Sequence, residues 1–403
     1  MTFEGAYPRR PMHARRNDVI ALAILGLFLV PMLALMGVRH TPPVDLDVYL
    51  RAGRMFATGG GLYGPNWGAP LAHPLPYTYP PVWAAIVTPI AWFHWRAVTV
   101  GWTIVNLGVL WWIVRLSYRT ALDRVGATRG IVLATLVVAV AITTPLASVF
   151  WFGQVGILLV GACLADTIPA RTRLPRGMLV GFALAVKLTP GIFIVYWLIT
   201  KRWRAAVTAV ATAVGLWLAT ALIRPELSRE FWTDVVFRTG RVGDPSVVSN
   251  QSIYGWLLRS GWSDALLWVM LVAVVLVVGM HRARIAHASG EELVAVTIVG
   301  LTSLLVSPVS WIDHAVWVVP ATGVLLGDGR NVWRRGAWIA LLGLFVLRLP
   351  DWAADGRLPV GPWMIDAVLE NAYLLAYVLL LVFLPLRTSS RDPYPAVESS
   401  APA

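Results

Sequence analysis

Long apolar segments recur along this 403-residue chain and are separated by short loops that carry most of the charge. Hydrophobic residues make up 58% of the sequence and charged residues only 13%, and the mean hydropathy is +0.68. A soluble core could not bury so much apolar surface, so most of it must face lipid or other membrane helices. The sequence therefore predicts an all-α polytopic membrane protein.

Basic residues predict how these segments are oriented. The formal net charge is +12, and most of the basic residues are arginines. Loops rich in arginine stay on the cytoplasmic side of a membrane, which also places both termini there. No nucleic-acid partner is expected, because basic residues in short loops between apolar segments are explained by the orientation of those segments in the membrane. The arginine-bearing loops are 119–129, 169–176, 201–204, 281–291 and 328–335.

Eleven apolar runs predict about twelve transmembrane segments, because one run is expected to be broken. The run 177–200 has arginine-bearing loops at both ends, so it must leave the cytoplasmic side and return to it. We expect two short helices that meet near Lys187 and Pro190 on the external side. The predicted spans are 18–37, 97–118, 130–150, 152–168, 177–200, 205–223, 263–280, 292–308, 312–327, 336–350 and 367–386.

The segment 79–95 is apolar but short, and its prolines favour an interfacial helix that does not cross the membrane. Residues 38–96 would then form one long extracytoplasmic loop with amphipathic helices. A single transmembrane domain is expected over 1–387, followed by a disordered cytoplasmic tail at 388–403. The first apolar run, 18–37, lacks a cleavage site and is expected to be an uncleaved span.

Two acidic residues directly follow the first apolar run. Asp47 and Arg51 are four residues apart on one helical face, the spacing of a surface ion pair. Asp45 has no such partner in the sequence. It is either the N-cap of this helix or a general base at the membrane boundary.

Two basic side chains interrupt later apolar runs. Lys187, in AVKLTP, either faces an anionic partner such as a phosphate or extends to the membrane surface. His314, in SPVSWIDHAVW, could bind a phosphate or relay a proton, or it could be held at a helix break by Asp313 or a backbone carbonyl. The amides of Gln154, Asn250 and Gln251 could bind sugar hydroxyls.

Several common metal and nucleotide motifs are absent from the sequence. There is no HEXXH or CXXC motif and no Walker loop, and the single cysteine, Cys163, lies inside an apolar run. We therefore expect neither a metal nor another cofactor.

Several motifs together resemble a known family. DLDVYLRAG at 45–53, GGGLYG, YTYPPVWA, GQVGILL, AVKLTPGIF, NQSIYGWLLR and SPVSWIDHAVW occur in the order found in the actinobacterial polyprenyl-phosphate-mannose-dependent mannosyltransferases. These enzymes form glycosyltransferase family 87 and have the GT-C fold. The resemblance covers nearly the whole chain. This sequence departs from the family in the last motif. That motif often carries two adjacent histidines, and here Asp313 stands in place of the first histidine.

The resemblance implies an inverting α-1,2-mannosyltransferase of the plasma membrane that works on the extracytoplasmic side. Polyprenyl-phosphate-mannose would be the lipid donor and a phosphatidylinositol mannoside the acceptor. Asp45 would be the catalytic base, and Lys187 and His314 would stabilise the departing phosphate. Tyr49, Tyr79, Gln154, Asn250 and Gln251 would contact substrate. Two alternatives stay open: an enzyme that adds α-1,2 branches to lipomannan, and a lipid or sugar transporter without chemistry.

Overall fold

The computed structural model describes residues 12–64, 75–168, 173–238, 241, 243–355 and 363–386. The predicted tail at 388–403 lies outside these residues. Within the described ranges, regular structure is helical, apart from an isolated β-bridge between Asn250 and Trp311. The predicted all-α class is confirmed for this part of the chain.

The first half of the chain contains the helices α1 (Met12–Gly37), α2 (Val44–Thr58), α3 (Pro81–Val87), α4 (Trp95–Ser117), α5 (Arg119–Leu122), α6 (Arg129–Ala141), α7 (Thr144–Phe152), α8 (Gly156–Thr167), α9 (Met178–Val186) and α10 (Ile192–Ile199). The second half contains α11 (Trp203–Ile223), α12 (Pro225–Thr233), α13 (Ile253–Arg259), α14 (Ala265–Ala288), α15 (Glu292–Val306), α16 (Val318–Leu326), α17 (Val332–Val346), α18 (Leu349–Ala354), α19 (Trp363–Glu370) and α20 (Ala372–Phe383).

Among the residues that the structure describes, four helices are long and apolar enough to cross a membrane alone: α4, α11, α14 and the Arg16–Gly37 part of α1. Helices α6 and α7 pass the same test together but are bent by 76°. Other apolar helices, such as α8 and α20, are shorter than the roughly 20 residues that a single crossing needs. The count of about twelve spans therefore stays a prediction.

The predicted span at 130–150 is bent, because the chain breaks between α6 and α7. Thr143 takes an extended conformation (ψ 144°), and Pro145 lies in the first turn of α7. A proline cannot supply the backbone N–H that a continuing helix needs. The apolar run is uninterrupted in hydropathy, so this break is visible only through the proline.

The predicted break in the run 177–200 is confirmed. Helix α9 ends at Val186, and Lys187 is extended (φ −146°, ψ 133°) before a 3₁₀ turn at Thr189–Gly191 leads into α10. Segment 79–95 also contains a short helix, α3, followed by a 3₁₀ turn at Thr88–Ile90. Together, the short helix and the turn cover ten residues, 81–90, and extend only about 15 Å, half the thickness of a bilayer core.

Helix α9 lies directly against α11 along glycines. Gly177 has φ +103°, and a Cβ atom on it would fall 2.1 Å from the carbonyl oxygen of Ala205. One turn later, a Cβ on Gly181 would lie 2.4 Å from the oxygen of Ala209. At the start of α9, the buried Asp166 carboxylate accepts hydrogen bonds from the backbone N–H groups of Gly177 and Val180 (2.8 and 2.9 Å). This packing fixes the position of the chain break that follows α9.

Candidate active site

A cavity of about 280 Å³ lies where several of the helix breaks meet. Asp45 from the first turn of α2, Tyr79 before α3, and Gln154 after α7 line one part of it. Lys187 and His314 line another part, from the α9–α10 break and from the 3₁₀ helix Ile312–Trp317. The structure thus brings together five of the eight residues predicted for the site.

Asp45 is half-buried and lies inside α2, one residue after its start. The N-cap position is occupied by Pro43, which makes no side-chain capping bond, so the alternative of an N-cap role for Asp45 is wrong. Burial raises the pKa of the Asp45 carboxyl to about 7, and the nearby Asp313 adds to this rise. Lys187 and a hydrogen bond from Gln154 act in the opposite direction. A carboxyl with a pKa near neutrality suits proton transfer.

Gln154 is oriented by two tyrosines. Its Oε1 lies 3.0 and 3.2 Å from the hydroxyl oxygens of Tyr49 and Tyr79, which lie 2.9 Å from each other, so the two hydroxyl hydrogens are shared among these three contacts. The amide nitrogen is thereby left to face Asp45. Gly153, with φ +74°, lets this segment approach α2, because a Cβ there would lie 2.7 Å from that of Leu46. Tyr49 is fully buried and supports the site through its contacts with Tyr79 and Gln154.

Lys187 and His314 form the basic part of the cavity. The Lys187 Nζ atom lies 2.8 Å from His314 Nε2 and 5.6 Å from the centre of the Tyr79 ring. His314 also lies 3.7 Å from the Asp313 carboxylate and interacts with the backbone of Val309. Because Lys187 donates to a histidine and not to a carboxylate at this distance, its charge remains available to an anionic ligand.

Asn250 and Gln251 do not line this cavity. The Asn250 amide donates to the carbonyls of Pro245 and Pro308 and accepts from the backbone of Ser310. Gln251 donates to the carbonyls of Val248 and Glu370 and accepts from the backbone of Leu374. Both side chains are fully buried. Their geometry does not support direct sugar contact. Instead, Asn250 holds the segment 307–311 in place, and Gln251 holds the end of α19 and the start of α20.

Asp47 forms the predicted ion pair with Arg51, with an N–O distance of 2.6 Å. The pair is not on the surface, however, since only 7% of Asp47 is exposed. Helix α2 packs against α3 and does not lie free on a membrane surface. The Asp47 carboxylate is therefore paired with Arg51, whereas Asp45 lines the cavity.

Sequence reasoning missed several residues around the site. Arg238 and Arg241 also line the cavity. Arg224, at the end of α11, donates to the carbonyls of Phe56 and Gly60 at the end of α2 (2.7 and 2.9 Å). The only sequence signal was the abundance of arginine in the loop after α11, which does not indicate what each side chain contacts.

Asp313 stands in place of the first of the two histidines that the last motif of the resembled family often carries. In the part of the chain that the structure describes, its buried Oδ2 has no hydrogen-bond partner. Among these same residues, no group of three or more His, Cys, Asp or Glu side chains could hold a metal ion. The acidic and basic side chains that line the cavity are Asp45, Lys187, His314, Arg238 and Arg241.

The fold and the site together define a class of protein. An apolar helical protein with a carboxyl of near-neutral pKa facing a lysine and a histidine has the groups for acid–base chemistry on an anionic lipid substrate. Residues 77–308 match the model of glycosyltransferase family 87, and this chain belongs to that family.

Curated relatives agree with this assignment. A Mycobacterium tuberculosis polyprenol-phosphate-mannose-dependent alpha-(1-2)-phosphatidylinositol mannoside mannosyltransferase is 35% identical over 79% of this chain and 78% of its own length. Its namesake from Mycolicibacterium smegmatis is 35% identical over 75% of this chain and 74% of its own length. A second M. tuberculosis relative, named for the pentamannoside, is 34% identical over 76% of this chain and 71% of its own length. No solved structure matches the chain. The chain is thus a glycosyltransferase related to mannosyltransferases.

Proposed function

We propose that this enzyme transfers mannose from polyprenol-phosphate-mannose to a phosphatidylinositol mannoside and forms an α-1,2 linkage. The names of the relatives supply the substrate classes. The observation that carries the proposal is the single cavity in which Asp45 faces Lys187 and His314. A base on one side and cations on the other are what transfer from a lipid phosphate to a hydroxyl requires.

In the proposed reaction, an acceptor hydroxyl attacks the anomeric carbon of mannose while Asp45 takes the hydroxyl proton. The bond between that carbon and the phosphate oxygen breaks, and polyprenyl phosphate leaves with the bonding electrons. Lys187 stabilises the negative charge that develops on the leaving phosphate, and His314, which accepts a hydrogen bond from the Lys187 ammonium, holds that group in position. One displacement on a β-linked donor gives the inverted, α-linked product. Tyr79 and Gln154 orient Asp45 and the sugar.

We place the reaction on the extracytoplasmic side of the plasma membrane, with both termini in the cytoplasm. The arginine-bearing loops support this orientation. Lys187 lies at the opposite end of α9 from the arginine-bearing loop that precedes this helix, which supports an external position for the cavity. The reaction proposed here needs no cofactor, because the donor lipid carries its own leaving group.

The test is a transfer assay with purified enzyme in the presence of EDTA. Polyprenol-phosphate-mannose is offered with phosphatidylinositol mannosides that differ in mannose number, and with lipomannan as a separate acceptor. The expected product is one mannose heavier than the acceptor and loses that sugar to an α-1,2-specific mannosidase.

The other outcomes of this assay separate the alternatives. Transfer to lipomannan alone would replace our proposal with the branching enzyme. Binding of the donor without transfer to either class of acceptor would reject a mannosyltransferase of this specificity and favour a transporter.

A further inference from the structure

A second cavity, of about 720 Å³, lies at the other end of α9 and α11 from the candidate active site. It is lined by residues from the start of α11 and from the turn that precedes α9. Helices α9 and α11 run parallel, because Gly177 packs on Ala205, Gly181 on Ala209, and the Trp217 indole bonds the carbonyl of Ala185. About ten residues of helix separate this cavity from Lys187, which corresponds to roughly 15 Å.

The lining of this basic cavity carries four cationic side chains, Arg176, Lys201, Arg202 and Arg204, and no acidic one. Arg202 is engaged by Glu292 at 2.7 Å, and Arg176 donates to the carbonyl of Thr167. Within the described ranges, neither Lys201 nor Arg204 forms an ion pair with an acidic group. Two positive charges thus face a large cavity without a counter-charge from the described residues.

Lys201 also has an unusual backbone conformation. Its φ of +59° lies in the left-handed region, which is costly for a residue with a side chain and which glycine adopts freely. The turn alone would be better served by glycine. The ammonium group is therefore the reason that we infer for a lysine at this position.

An exposed apolar stripe begins at the same cavity and follows α11 along its length. The spacings of four and three residues keep its members on one helical face. The exposed members are Trp203, Val207, Val210, Val214, Leu218 and Leu222. Tryptophan is typical of the membrane interface, so Trp203 marks the level at which a headgroup meets its acyl chains. A charged cavity at the end of an apolar stripe matches an amphiphile, not a free ion.

We infer that the basic cavity binds the phosphate headgroup of an anionic diacyl phospholipid, whose acyl chains lie along the α11 stripe. Lys201 and Arg204 contact the phosphate, and Trp203 contacts the glycerol region. This lipid is neither donor nor acceptor, since its site lies at the far end of α9 from Asp45. The inference does not depend on which sugar the enzyme transfers.

The test measures retained lipid by native mass spectrometry of the full-length enzyme in lipid nanodiscs. One set contains phosphatidylcholine alone, and the other contains phosphatidylcholine mixed with phosphatidylglycerol. The variant Lys201→Gln/Arg204→Gln is compared with the control Arg330→Gln/Arg335→Gln, which removes the same charge from another exposed loop. Melting temperatures of all three proteins establish that they are folded.

We expect the wild type and the control to retain one phosphatidylglycerol in preference to phosphatidylcholine. The double variant should lose about thirtyfold in that preference, since each basic side chain near an anionic lipid contributes roughly a fivefold factor. Equal retention by the double variant and the control would overturn the inference. So would displacement of the lipid by millimolar inorganic phosphate, because the cavity would then be a simple anion site.

Discussion

The segment 250–252 and the cavity around Lys187 contain similar polar residues in similar apolar surroundings, but they use their hydrogen-bonding groups in opposite ways. In the first region, the amides of Asn250 and Gln251 bond backbone groups of distant segments. In the second, Asp45 and Lys187 point into open space that a ligand could occupy. Saturated polar groups hold a fold together, whereas groups that converge on a cavity are available for chemistry.

The largest expected effect comes from Asp45→Asn, which removes the proposed base while keeping the size of the side chain. We expect kcat to fall by about 10³-fold, within the range of general-base contributions. The matched control is Asp47→Asn, two residues away in the same helix turn. It should lower Tm through loss of the Arg51 ion pair but keep kcat of the folded enzyme within about threefold of wild type.

These two variants are compared by steady-state kinetics and by donor binding. Asp45→Asn should still bind the donor lipid. If Asp47→Asn is the inactive variant and Asp45→Asn is not, the assignment of the base is wrong by two residues.

Lys187→Gln tests the cationic side of the cavity. Loss of one preorganised group that stabilises transition-state charge lowers kcat/KM by about 10²- to 10³-fold. Lys201→Gln removes the same charge at the opposite end of the helix pair and should leave kcat/KM unchanged. Equal losses in the two variants would mean that overall charge, not contact with the leaving phosphate, explains the effect.

Asn250→Ala tests the saturated region. It leaves the Ser310 N–H and the Pro245 carbonyl without their partner, whereas the Pro308 carbonyl keeps the hydrogen bond from the Ser252 hydroxyl. Each buried unsatisfied group costs about 1–3 kcal/mol. We expect the free energy of unfolding to fall by roughly 2 kcal/mol or more, while turnover per folded molecule changes little. Thermal unfolding, followed together with specific activity, measures both. A folded, fully stable and inactive Asn250→Ala would instead indicate that this amide contacts substrate.

The smallest expected effect concerns pH. Only the deprotonated Asp45 accepts a proton, so kcat/KM should rise with pH and level off above about 7. Asp313 raises the pKa of Asp45, so Asp313→Asn should move this limb to lower pH. Gln154 lowers that pKa, so Gln154→Leu should move the limb to higher pH. Shifts of the same sign in both variants would contradict the assignment of the limb to Asp45.

Much of the fold could be predicted because it depends on local sequence. Apolar runs specify the helices, and the return of 177–200 to its starting side followed from the charges that flank it. The break at Thr143 could not be read from hydropathy. It depends on backbone geometry next to Pro145, and the surrounding residues are apolar on both sides.

The site was predictable only in part. Lys187 and His314 stand out because a basic group inside an apolar run requires a partner. Asn250 and Gln251 were harder to interpret, because an amide that binds sugar and an amide that binds backbone look alike in a sequence. Their partners at Pro308 and Glu370 are 58 and 119 residues away along the chain. Burial of Asp47 likewise depends on α3, which the helical pattern of α2 does not reveal.

Hydrogen bonds from Arg224 connect α11 to the end of α2, the helix that carries Asp45. Helix α11 has 21 residues and is therefore about 30 Å long, close to the thickness of a bilayer core. When a helix of this length crosses a bilayer, its two ends lie at opposite faces. Arg224, at one end of α11, donates to three backbone carbonyls at the end of α2. In that orientation, the match between the length of α11 and the thickness of the bilayer sets the depth of the Asp45 carboxylate. A thicker or thinner bilayer would change the tilt of α11 and therefore the distance between this carboxylate and the lipid phosphates.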